Sequence, residues 1–122
     1  MKNAPKLTCR IPDIEDRAGR CFELSGSGCI QAGGAWELVH GEVDFRPNIR
    51  MAHAWLERQG WVYDPVLDQT VPRTVYESHV NAIIFRRFGV REAVKKMLTS
   101  GHYGPWEIQQ PLRRDRMSNG RA

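Results

Sequence analysis

Three residues of this chain have the types and the order for covalent chemistry: Cys21, His53 and Asp64. A thiol attacks a carbonyl only as thiolate, so its pKa must come down from about 8.5, and a helix N-terminus with a nearby imidazolium brings it down. A carboxylate on the ring's other nitrogen holds the imidazole in the useful tautomer. Together the three would perform acyl transfer on an amide, the thiolate attacking the carbonyl and the imidazolium protonating the departing amine. A lone cysteine on an apolar helix face is ordinarily core packing. The company of His53 and Asp64 is what changes that reading. Cys9 and Cys29 lack such company and read as lead-in and core thiols, while His40, His79 and His102 read as strand, helix and loop residues.

The elements that must position these groups can be read from patterning. Asp13, Glu15 and Asp16 suit the first turn of a helix beginning near Asp13. A break at Gly19 with a helix opening near Arg20 and Cys21 is the alternative, and it places the thiol at a helix start. Gly26 and Gly28 each weaken that helix by about 1 kcal/mol, and Gly33-Gly34 end it. Residues 35–43 read as a strand with Trp36 and Leu38 on one face and Val39 and Val43 on the other. Residues 44–48 form a loop around Pro47, residues 51–58 a second strand, Gln59-Gly60 a turn, and residues 61–64 a third strand ended by Pro65. A two-residue turn sets Arg58 opposite Trp61 and Asp64 opposite Trp55, which lies two residues from His53 on the same face. A slip of one residue would turn Asp64 away from the ring. Residues 74–80 form a short helix, 81–88 a fourth strand, and 90–99 a helix with Gly101 as its C-cap.

A length of 122 residues suits one domain, drawn as an irregular lead-in at 1–12, a domain at 13–106 and a basic, flexible tail at 107–122. The net charge of +4 is concentrated at the end: residues 111–122 hold four arginines against one aspartate, and residues 1–110 hold 14 basic and 13 acidic side chains. That balance argues against nucleic acid as the partner of the folded body. No apolar run reaches the roughly 18 residues of a membrane span, and the N-terminus lacks the apolar stretch of a secretion signal. A cytoplasmic protein is expected. Two cysteines eight residues apart on one helix are separated by about 12 Å of rise, so free thiols are expected in place of a disulfide. No Cys-x-x-Cys pair is present, and neither a metal nor another cofactor is expected.

The segments His53-Ala54-Trp55-Leu56-Glu57 and Gly60-Trp61-Val62-Tyr63-Asp64-Pro65 resemble the His-Ala-Trp-x-Glu and Trp-x-x-Asp-Pro signature of transglutaminase-like cysteine enzymes, within the papain-like superfold. Gly19-Arg20-Cys21-Phe22-Glu23-Leu24 resembles the cysteine-bearing helix start of short bacterial and phage proteins of this kind, in which a Gly-Pro-Trp like Gly104-Pro105-Trp106 recurs. The resemblance spans residues 19–106. It implies an α+β fold, a cysteine-bearing helix on an antiparallel sheet of about four strands, with Cys21 as nucleophile, His53 as general base and acid, and Asp64 as orienting carboxylate. Trp55 would wall the substrate cleft. The implied substrate is a protein segment or a small amide, and the outcome peptide hydrolysis, amide hydrolysis, deamidation or cross-linking. Upstream of Cys21 there is no counterpart of the Gln or Trp that helps those enzymes bind the oxyanion. The alternative is therefore a catalytically weak or inactive phage-type protein on the same fold that binds or inhibits a host protein.

Overall fold

The hairpin that carries the candidate base and acid is built as its turn dictates. In the computed structural model, which describes residues 20–106 together with Ala4 and Pro5, β1 (Glu37–Arg46) and β2 (Ile49–Arg58) pair antiparallel, and β2 continues into β3 (Trp61–Asp64). Gln59 and Gly60 both take positive φ, 49° and 85°, as a two-residue hairpin turn requires. Arg58 therefore stands opposite Trp61 and Leu56 opposite Tyr63. The loop expected at residues 44–48 is shorter: β1 extends to Arg46, β2 begins at Ile49, and Pro47-Asn48 alone make the turn, with Asn48 at φ 66°.

A strand absent from the sequence reading, β4 (Gln69–Pro72), pairs with β3 and makes the antiparallel sheet five-stranded, in the order β4-β3-β2-β1-β5. A short helix, α2 (Arg73–Val80), then carries the chain to β5 (Ile83–Phe88) beside β1. The cysteine helix, α1, is Cys21–Gln31, and α3 is Val90–Ser100, closed by Gly101 in the left-handed conformation.

Pleat alternation sorts the core into two faces. Leu38, Leu56, Tyr63 and Phe88 meet Cys29 of α1 and Ala93 of α3 on one face, whereas Val39, Trp55 and Val62 meet Tyr76 of α2 on the other. The class is thus α+β, three helices on a five-stranded sheet among the described residues. Helix α1 runs unbroken through Gly26, where an added Cβ would come within 2.8 Å of the Met97 methyl and 2.9 Å of the Tyr103 ring, so both side chains would have to shift to admit one. Cys9, a helix start near Asp13, the lead-in, the tail and the boundaries drawn for them fall outside the described residues. None of the helices described is long and apolar enough to cross a membrane.

Candidate active site

Cys21 is the first residue of α1, after Arg20 as N-cap. Arg20 has no capping side-chain bond to the helix backbone; its guanidinium instead pairs with Glu23 at 2.9 Å, which sets a carboxylate in the first turn where the helix dipole favours it. The first rung of the helix ladder is Leu24 N–H to Arg20 C=O, so the ladder leaves the N–H groups of Cys21, Phe22 and Glu23 uncommitted.

His53 lies mid-way along β2, opposite Gly41 of β1, and Asp64 is the last residue of β3. The ring Nε2 and Asp64 Oδ2 are 2.8 Å apart, and the Cys21 side chain lies near enough to the ring to act on its protonation. With Nε2 engaged by the carboxylate, Nδ1 is the nitrogen left for the thiol. The structure therefore brings together the three residues that the sequence singles out. All three are buried, at 7%, 8% and 3% exposure in chain order.

Electrostatics follow from that geometry. Burial alone would push the His53 pKa down, but the hydrogen bond and charge of Asp64 and the nearby Cys21 outweigh it and raise it to about 10. For Asp64, burial would raise the pKa, and it is overcome by His53, Tyr76 and the backbone N–H of Val66, so the carboxyl sits below its ordinary value. Tyr76 is a fourth member that sequence reasoning missed. Its hydroxyl donates to Asp64 Oδ2 at 2.7 Å, while Val66 N–H donates to Oδ1 at 3.0 Å. Nothing in the spacing announces it, since it comes from another element 12 residues on.

Beside the dyad opens a cleft of about 660 Å³, whose walls include Val43, Met51, Leu67 and Val80 and whose base includes His53, Asp64 and Tyr76. Trp55 does not wall it. Its indole is fully buried 6.0 Å behind the His53 ring and 5.3 Å from the Tyr76 ring, so it has no surface to offer a substrate. Its alternation with His53 gives the shared face correctly; α2 covers that face. Cys21 is not among the cleft-lining residues either.

The remaining candidates are structural. Glu57, buried beneath the sheet, accepts from Arg87 at 2.9 Å and from the Trp55 indole at 3.4 Å. Cys29 is free, fully buried, and its pKa is raised to about 11, chiefly by burial. His40 packs among the rings of Phe22, Phe88 and Trp106 at 4.7, 5.0 and 4.8 Å, which ties the Gly104-Pro105-Trp106 segment to the core. Among the described residues no group of three or more His, Cys, Asp or Glu is set to hold a metal ion. Compared with protein-family models, curated proteins and solved structures, the chain matches none.

Proposed function

We propose that this chain is a cysteine-dependent acyl-transfer enzyme acting on an amide, with Cys21 as nucleophile, His53 as general base and acid, and Asp64 as orienting carboxylate, on a transglutaminase-like or papain-like core. One observation carries the reading: a single buried imidazole is hydrogen-bonded to a carboxylate at 2.8 Å and has a thiol at a helix start beside it, near enough to act on its protonation. Burial makes an ionised carboxylate and a protonated ring costly unless each serves the other. The Cys21 thiolate attacks the substrate carbonyl, and the N–H groups left over at the start of α1 donate to the oxyanion. The C–N bond breaks with its electron pair on nitrogen, which takes the proton from His53. Water or a second amine then attacks the thioester as His53 removes its proton, and the C–S bond breaks with its electron pair on sulfur, returning the Cys21 thiolate beside a protonated His53.

The test is alkylation by iodoacetamide near pH 6. Rapid, stoichiometric labelling of the Cys21 peptide is expected, because a nucleophile activated by the adjacent imidazole alkylates ahead of an ordinary thiol. Slow labelling without preference for Cys21 would remove the enzyme reading. A second reading, a binding or inhibitor protein that keeps the fold without turnover, is favoured by the 7% exposure of Cys21 and its absence from the cleft wall. Under that reading Cys21→Ser leaves the biological effect of the folded protein intact; under the first it abolishes it, since a serine hydroxyl is far less ionised than a thiol beside the same ring.

A further inference from the structure

The candidate triad carries a donor that a thiol, an imidazole and a carboxylate do not by themselves require. Two groups from different elements converge on one oxygen of Asp64: His53 Nε2 from β2 at 2.8 Å and the Tyr76 hydroxyl from α2 at 2.7 Å. Tyr76 is 4% exposed, its ring lies 5.3 Å from that of Trp55, and its pKa is raised by burial and by the charge of Asp64. The hydroxyl therefore keeps its proton and faces the carboxylate as donor only.

We propose that Tyr76 limits how strongly Asp64 stabilises the His53 imidazolium: by sharing Oδ2 with the ring N–H, its hydroxyl leaves the ring able to give up its other proton to the departing amine. The inference rests on the catalytic reading above and adds to it a residue that acts through Asp64 without touching substrate. A general acid works best with a pKa near the working pH, and a ring held at about 10 is a reluctant one. A carboxylate oxygen with one donor concentrates its charge on that donor. A second donor draws part of the charge away and weakens the hold on the first. Orientation is secured separately, because Val66 N–H holds Oδ1 whether or not the hydroxyl is there. The other titratable and charged groups around the dyad are Cys21 from α1, which acts on the ring, and Asp44 and Arg46 from β1 and His79 on Tyr76's own helix, which line the same cleft. Among the described residues no other hydroxyl donates to Asp64.

The test is an NMR titration of the His53 ring in Tyr76→Phe and in the parent, both in a Cys21→Ser background so that the ring is not coupled to the thiol. Tyr76→Phe keeps the ring on Trp55 and removes only the donor. Its His53 midpoint is expected to rise by about half a unit to one unit. An unchanged or lowered midpoint overturns the inference, since a merely structural tyrosine does not move it upward. Should Tyr76→Phe fail to fold, 3-fluorotyrosine introduced at position 76 keeps the shape and donates more strongly; the midpoint then falls, and a rise or no change refutes the proposal. Iodoacetamide labelling of the Cys21 protein separates the two levels. Selective labelling with an unmoved midpoint overturns the role of Tyr76 alone; absence of selective labelling overturns the catalytic reading and, with it, the purpose assigned to Tyr76.

Discussion

Replacing Asp64 with asparagine tests the site through its pH dependence without needing a substrate. The carboxylate accepts three hydrogen bonds, two on Oδ2 and one on Oδ1, and is 3% exposed. An amide has one acceptor and one donor arm: with its oxygen kept on Val66 N–H, its NH2 faces His53 and Tyr76, where a neutral ring nitrogen or the hydroxyl oxygen accepts, so charge-assisted hydrogen bonds are exchanged for weaker neutral ones at about 1 kcal/mol. The charge is lost as well, and a carboxylate that holds His53 protonated toward a pKa of about 10 contributes stability that is fully present below the ring's ordinary value of about 6.5 and fades as pH rises through 10. Since the buried ring can shed its proton when its partner is removed, only part of the full linkage is forfeited, and the combined loss comes to about 3 kcal/mol near pH 6.5. It should shrink toward about 1 kcal/mol near pH 10, where only the exchange of hydrogen bonds remains. Urea denaturation of wild type and Asp64→Asn at pH 6.5, 8 and 10 measures the difference directly. A deficit that is constant across these values, or absent at pH 6.5, would refute a charged His53–Asp64 pair.

Three further outcomes follow from neighbouring features. Gly41→Ala should destabilise by about 2 kcal/mol or more in thermal or chemical denaturation, because the added methyl would lie 2.3 Å from the Ile83 carbonyl oxygen and 2.8 Å from the Trp55 ring. Arg87→Ala removes the ion-pair partner of the buried Glu57; discounted for the part-exposed arginine, the loss is about 1–2 kcal/mol, and Glu57→Gln in the same background should restore part of it. Cys29 should stay unlabelled by iodoacetamide in the folded protein and react only in denaturant, being fully buried with a pKa pushed up to about 11; mass spectrometry of the labelled peptides reads this out.

Legibility from sequence tracked how local the determining interactions are. The β2–β3 register was readable because Gln59-Gly60 leaves a single short turn geometry, and that register is what brings Asp64 to His53. The opening of α1 at Cys21 was readable only as one of two alternatives, since Gly19 marks a break without saying where the helix resumes. β4 escaped because four residues ending in proline carry too little alternation, and its identity as a strand comes from pairing with β3. The Pro47 segment was read too long because proline marks a turn but not how tightly the flanking strands close on it. Trp55 and Tyr76 depend on which helix covers which face of the sheet. Strand alternation states that Trp55 shares a face with His53; it does not state that α2 lies over that face and carries a hydroxyl to Asp64.

The shortness of β3 is itself part of the site. Cys29 of α1 packs on the Leu38 and Leu56 face of the sheet, whereas His53 shares the opposite face with Trp55, so a thiol on α1 can reach the ring only by passing the edge of β2. On the side away from β1, β3 pairs only with Leu56, Glu57 and Arg58, and β2 residues further back, His53 among them, have no strand partner there among the described residues. α1 packs chiefly against β2, which is where such a passage must lie. Pro65 follows Asp64 directly and has no N–H to extend the ladder, and the chain turns away through Val66 and Asp68, whose N–H groups bond back to the Asp64 side chain and carbonyl at 3.0 and 2.7 Å. One local sequence, Asp64-Pro65, thus ends the strand, frees the edge for the helix bearing Cys21, and fixes the carboxylate that holds the ring. If the ladder ran two residues further, backbone would occupy the edge and the thiol would be shut out from the imidazole.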